Sequence, residues 1–183
     1  MSKLIIFNKP FGVLSQFTDS SGRKTLSDFI PIPNVYPIGR LDKDSEGLLL
    51  LSDDGYFNHS IAEPNKKVWK TYLVQVEGIP REDELLRLRG GIMLKDGFTL
   101  PAKCIKIKIP LINERTPPIR YRKNIPTSWL KISIHEGRNR QIRRMTASIG
   151  FPTLRLIRIK IGRWSIKSIE PGNFCEMKVN KIK

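Results

Sequence analysis

Residues 39–51 read GRLDKDSEGLLLL, which sets three carboxylates (Asp42, Asp44, Glu46) between an arginine and four consecutive leucines. An apolar run this short, opened by a glycine, reads as a buried strand and not as a helix. The carboxylates then occupy a turn at the entrance to a core strand. Three uses of such a turn compete: a metal loop, a catalytic carboxylate, and a solvated connection.

Outward from this strand the chain is mostly strands separated by turns. LIIF (4–7) and GVLSQF (12–17) flank NKPFG and predict an early hairpin. DGYFNHSIAEP (54–64) predicts a short helix with an aspartate cap and a stop at Pro64. VWKTYLVQVEG (68–78) alternates, with Val68, Lys70, Tyr72, Val74 and Val76 on one face. IPREDELLRLRGG (79–91) has acids in its first turn and arginines in its last, so its charges match a helix dipole. A basic strand (102–109) and a loop rich in Pro and Arg (110–128) follow, and WLKISIHEG (129–137) alternates again. RNRQIRRMTASIG places Ile142, Met145 and Ile149 at helical spacing. TLRLIRIKIG (153–162) and FCEMKV (174–179) read as strands. Without strict alternation of strand and helix, the pattern predicts α+β: a mixed, mostly antiparallel sheet core with flanking helices. Residues 1–183 are expected to form a single domain, with room for two lobes sharing one sheet.

The charge is segregated. Residues 1–100 carry 13 Lys+Arg and 13 Asp+Glu, whereas residues 101–183 carry 20 against 4, which is the whole net charge of +16. A block of this kind is the electrostatic footprint of a polyanion, and its arginines are good phosphate forks. Nucleic acid is the expected partner, with RNA and DNA not separable by charge. Two isolated cysteines and two histidines leave no structural zinc set and fit a reducing compartment. No apolar run approaches a membrane span, so no membrane partner is expected and the cytoplasm is the expected location.

Asp42, Asp44, Glu46, Gly47 and Asp53 fall at positions 1, 3, 5, 6 and 12 of a calcium loop. That loop wants a short side chain at position 5 and a long bidentate glutamate at 12, and here the lengths are reversed. A looser magnesium cluster needs Asp53 to return to Asp42 across the leucine strand. No metal is expected.

The catalytic use has a family behind it. GRLDKDSEGLLLL resembles the aspartate motif of the pseudouridine synthases, in the branch that modifies bacterial ribosomal RNA. NKPFG, KTYLVQVEG (70–78), EGRNRQIRRM (136–145) and FPTLRLIRIKIG (151–162) agree in order and spacing, and PPIRYRKNIPTSWLKI looks like the E type acting on large-subunit (23S) RNA. Most of the branch carries an S4-like RNA-binding domain ahead of the core. Here the core motif begins by residue 7, so none is expected.

The resemblance implies the pseudouridine synthase catalytic fold, no cofactor, and a site-specific isomerisation in 23S ribosomal RNA, free or in an assembling large subunit; a monomer is expected. The reaction breaks the bond from uracil N1 to ribose C1′ and rejoins the base through C5. Positive charge builds at C1′, and a carboxylate stabilises or traps it, as in glycoside hydrolysis. The resemblance gives that role to Asp42, as nucleophile on the sugar or as base toward its C2′ proton. It pairs Arg143 with the aspartate, and it stacks Tyr72 on the target uracil, although the strand pattern alone makes Tyr72 a core residue. The target base must be unpaired or flipped to be reached.

Lys9, Arg40, Arg120, Arg122, Arg138, Arg140, Arg144 and Arg158 are the candidate RNA contacts. Lys9 doubles as a turn residue, and packing competes with RNA contact at Arg158. Arg140, Arg143 and Arg144 are expected on the helix face opposite Ile142. Asp44 and Glu46 read as solvated or capping, and His59 and His135 as ordinary residues. Two other classes fit part of the sequence: a non-catalytic RNA-binding or ribosome-assembly protein, and a metal-dependent nuclease built on Asp42, Asp44 and Asp53. A binding module has no need of a carboxylate facing phosphate.

Overall fold

The computed structural model describes residues 1–62 and 67–180. In chain order the elements are β1 (Ser2–Lys9), β2 (Tyr36–Pro37), β3 (Glu46–Ser52), α1 (Gly55–Ala62), β4 (Lys70–Glu77), α2 (Glu82–Gly90), β5 (Met93–Leu94), β6 (Gly97–Phe98), β7 (Lys103–Ile107), β8 (Thr127–Ile134), α3 (Gln141–Ser148), β9 (Thr153–Ile161), β10 (Trp164–Ser165) and β11 (Phe174–Val179). They divide into two compact units: residues 1–68 with 158–183 (unit 1), and residues 69–157 (unit 2). The strand pairings within each unit are antiparallel, in agreement with the α+β expectation.

In unit 1, β1 lies between β3 and β11, with β2 also against β3 and β10 against the end of β9. The four leucines of β3 are explained by burial on both faces. Leu48 and Leu50 pack with Leu4, Ile6, Phe57 and Ile61, while Leu49 and Leu51 pack with Ile5, Phe7, Leu26 and Leu41. A strand covered on both sides has no use for alternation. The α1 helix starts as expected, because Asp54 Oδ1 accepts the backbone N–H groups of Tyr56 (3.0 Å) and Phe57 (3.3 Å). The Pro64 stop lies outside the described residues.

The expected early hairpin is corrected. Both sides of β1 are taken by β3 and β11, so residues 12–17 have no place beside it. They run instead as an irregular segment, with Gly12 at φ +84° donating its N–H to Lys43 O (2.8 Å) and Leu14 donating to Lys24 O (2.9 Å).

In unit 2 the order is β4-β8-β7. Alternation on β4 buries Tyr72, Val74 and Val76. They share a core with Leu85 and Leu88 of α2, Leu130 and Ile132 of β8, and Ile142 and Met145 of α3. The α2 helix is fixed at both ends: Glu84 accepts the Arg81 N–H (2.6 Å), and Arg89 Nε donates to Cys104 O (2.7 Å). Among the described residues, no helix is long and apolar enough to cross a membrane.

Candidate active site

Asp42 stands half-buried in the turn between β2 and β3, and the backbone around it is held at every step. Ser15 Oγ donates to Leu41 O (2.7 Å) and accepts from Leu41 N–H (3.1 Å). Ser45 N–H donates to Asp42 O (3.0 Å), and Gly12 N–H to Lys43 O (2.8 Å). Arg158 clamps both ends of the turn, with Nη1 donating to Arg40 O (3.4 Å) and Nε to Leu48 O (2.8 Å). Gly47 sits at φ +101°, and a Cβ there would come within 2.3 Å of Arg158 O. Only glycine fits that contact and that dihedral together. The result is an aspartate on a rigid backbone, the arrangement that a preorganised catalytic group needs.

The acidic cluster has a second use. Lys9 is 0 % exposed, and its ammonium donates to Val13 O (2.8 Å) and Pro10 O (3.0 Å). Burial pulls its pKa down to about 8, against the opposing pull of Glu46, Asp44 and Asp42, while Arg158 adds to the lowering. The carboxylates thus help to keep a buried cation charged. Asp53, at the far end of β3, accepts Lys3 N–H (2.8 Å) and takes no part. Among the described residues, no three His, Cys, Asp or Glu side chains gather as metal ligands.

Tyr72 and Arg143 belong to unit 2. Tyr72 is 8 % exposed and opposite Ile132, in the core that also receives Ile142 and Met145. Arg143 is half-buried on α3, with Nη1 donating to Thr153 O (3.5 Å). The helix is seated by Ile142, Met145 and Ile149, as its spacing predicts. It is oriented by a residue the sequence reading passed over. Buried Gln141 accepts the Arg138 N–H (3.1 Å) and donates to Glu136, tying the preceding loop to the first turn. Ser15 was passed over as well, and nothing in its sequence neighbourhood signals it. Gly47 and Gln141 do lie inside the quoted motifs.

Several of the expected RNA contacts have partners within the chain. Lys9 is buried in its own turn, with its ammonium on Val13 O and Pro10 O. Arg158 is 6 % exposed and spent on backbone carbonyls. Arg138 braces the β5-β6 hairpin through Gly97 O (3.0 Å) and Phe98 O (2.5 Å), and also meets Glu136 (3.2 Å). Arg144 forks onto Asp96 (2.7 and 3.0 Å) and holds that carboxyl below the usual range. Arg122 meets Glu77 at 3.3 Å. Arg140 precedes α3 as its N-cap residue, in a left-handed conformation (φ +48°). Arg40, Arg120 and Arg140 are exposed.

The family model for RNA pseudouridylate synthase matches residues 3–148, four-fifths of the chain and all but one of its quoted motifs. The chain belongs to that family. This synthase chain is 56 % identical over 177 residues to the ribosomal large subunit pseudouridine synthase E of Vibrio parahaemolyticus, covering 97 % of the chain and 74 % of that protein. It is 52 % identical over 174 residues to the protein of the same name in Xanthomonas campestris, covering 93 % of each. A crystal structure of a pseudouridylate synthase superposes on the synthase chain with a TM-score of 0.78 at 29 % identity, covering 97 % of this chain and 71 % of that one. The mostly antiparallel fold is therefore the fold of an enzyme family.

Proposed function

We propose that the enzyme converts a uridine of 23S ribosomal RNA to pseudouridine, with Asp42 as the catalytic carboxylate. The observation that carries this reading is the Asp42 turn, whose backbone is fixed from residue 40 to residue 48 by Ser15, Gly12 and Arg158. A solvated connection has no need of such bracing. In the reaction the N1–C1′ bond breaks, the base turns, C5 bonds to C1′, the C5 proton leaves and N1 gains a proton. Atoms and electrons balance with no oxidant. Asp42 meets the charge that develops at C1′, as nucleophile or as base toward the C2′ proton.

Tyr72 and Arg143 are proposed to serve the same reaction, through the base and through a fixed positive charge respectively. The reading extends to one catalytic domain acting as a monomer in the cytoplasm, on free RNA or on an assembling large subunit. The names of the relatives support a large-subunit target. The test is release of tritium to water from 23S RNA carrying uridines labelled at C5. The parent enzyme is expected to release it, and Asp42→Asn to lose several orders of magnitude in rate while holding RNA. Wild-type-like release by Asp42→Asn overturns the assignment of Asp42. Absence of release by the parent overturns the function.

A further inference from the structure

On β4, Tyr72, Val74 and Val76 face the core of unit 2, so Gln75 faces the other way. Gln75 lies opposite Trp129 of β8, and Trp129 lies opposite Ile107 of β7, which makes one row across three strands on the face turned from Tyr72. This row floors a groove of about 500 Å³, which Lys106, Lys108, Ile109, Thr127 and Ser128 also line. Its size is that of a small-ligand site, roughly 300–1,000 Å³. Trp129 is nearly buried in the floor and the exposed Lys108 stands at the rim, whereas Lys106, opposite the core residue Leu130, leaves its strand on the other face. Two residues along from Trp129 and Ile107, Lys131 and the half-exposed Ile105 continue the face of the groove.

The charge around the groove has one sign. Residues 103–131 contain eight Lys or Arg and a single carboxylate, Glu114. Glu77, two residues beyond Gln75 on the same face, is already paired with Arg122 at 3.3 Å. The Gln75 carboxamide donates to Thr127 Oγ1 (3.2 Å), so a donor–acceptor pair of the kind that reads base edges is held in place. An apolar and aromatic floor, hydrogen-bonding walls and a cationic rim match one occupant, an unstacked nucleotide of a single-stranded segment with its phosphates at the lysines. An acidic peptide would match the rim but has no use for the floor.

We propose that this reverse face of the β4-β8-β7 sheet is a second RNA-contact surface, which holds an unpaired nucleotide of the substrate apart from the uridine being modified. The proposal rests on the RNA-modifying reading above and adds to it a handle on flanking, unpaired RNA.

The test uses the full chain and two probes. Hexauridylate is titrated while tryptophan fluorescence is followed, and its quenching is expected in the parent and lost in Trp129→Phe. With intact 23S RNA, Lys108→Gln/Lys131→Gln is expected to raise the half-saturating RNA concentration several-fold, by more than it lowers the saturated tritium-release rate. It should also flatten log affinity against log salt by about 1.5, as for two lost phosphate contacts on a single strand. Lys178→Gln, on β11 of unit 1, is the control and should alter neither. Equal quenching in Trp129→Phe, or unchanged half-saturation and slope in the double variant, overturns the proposal. Tighter binding of polyglutamate than of hexauridylate overturns RNA as the occupant. A parent enzyme that binds hexauridylate at the groove but releases no tritium overturns the isomerase reading and leaves the groove standing.

Discussion

Replacing Arg158 by methionine keeps the bulk of the aliphatic stem and deletes the guanidinium that closes the Asp42 turn. The 2.8 Å bond from Nε to Leu48 O is buried and charge-assisted, so leaving that carbonyl unmatched costs about 1.5–3 kcal/mol. The longer bond from Nη1 to Arg40 O, at 3.4 Å, adds about 0.5–1 kcal/mol. Two effects offset these. Nη2 is buried with no hydrogen-bond partner among the described residues, and Arg158 repels the ammonium of Lys9, so its removal relieves both. A net loss of about 2–3 kcal/mol remains, which for a chain of this length lowers the melting temperature by roughly 4–12 °C.

The second effect is on rate. Arg40 O is two residues from Asp42, and a misplacement of about 1 Å in a catalytic group is enough for roughly a hundredfold loss. Single-turnover tritium release, measured well below the new melting temperature, should therefore fall by about one to two orders of magnitude. The slope of log RNA affinity against log salt should stay that of the parent, because this arginine faces carbonyls and not phosphate. An unchanged melting temperature with an unchanged rate refutes the clamp. A slope reduced by about one contact places Arg158 on the RNA surface.

Three further outcomes follow from the geometry. Lys9 titrates near 8 in the folded chain and near 10.5 unfolded, so the unfolded state binds more protons between those values and stability rises with pH across that window. The stability difference between the parent and Lys9→Met, from denaturant melts, should grow by up to about 1.4 kcal/mol per pH unit from pH 8 to 10.5. A flat difference refutes the burial argument. Arg120→Gln with Arg122→Gln should flatten the salt slope by about one contact and not two, because Arg122 is engaged with Glu77; a loss of two shows that RNA displaces the ion pair. Gly47→Ala meets both the φ of +101° and the Arg158 backbone, so it should destabilise the chain by at least about 2 kcal/mol; a melting temperature within 2 °C of the parent shows that the turn has slack.

What was legible in the sequence was whatever a local pattern determines. The β3 run, the alternation of β4 and β8, the Asp54 cap and the apolar stripe of α3 each need only their own residues, and each stands as read. The early hairpin failed because strand pairing is settled by competitors distant in sequence. Phe174–Val179 takes the side of β1 that residues 12–17 would have used. The partners of the arginines were illegible for a related reason. Arg138, Arg144 and Arg158 have the same composition as phosphate contacts, and only their partners at Asp96, Phe98, Leu48 and Arg40 distinguish bracing from display. The acidic turn was half legible. Its motif named Asp42, but nothing in the sequence said that its neighbours face a buried lysine.

The two units differ in how they are threaded, and this sets a timetable for biosynthesis. Unit 2 is one uninterrupted stretch, whereas in unit 1 the strand laid down first is completed by residues 174–179. At about 5–20 residues per second, roughly 8–35 s separate the emergence of β1 from that of its second partner. Through that interval Ile5, Phe7 and the rest of β1 are synthesised but not yet enclosed, and they are open to chaperones. The turn that carries Asp42 therefore acquires its Arg158 clamp only after the whole of unit 2 has been synthesised.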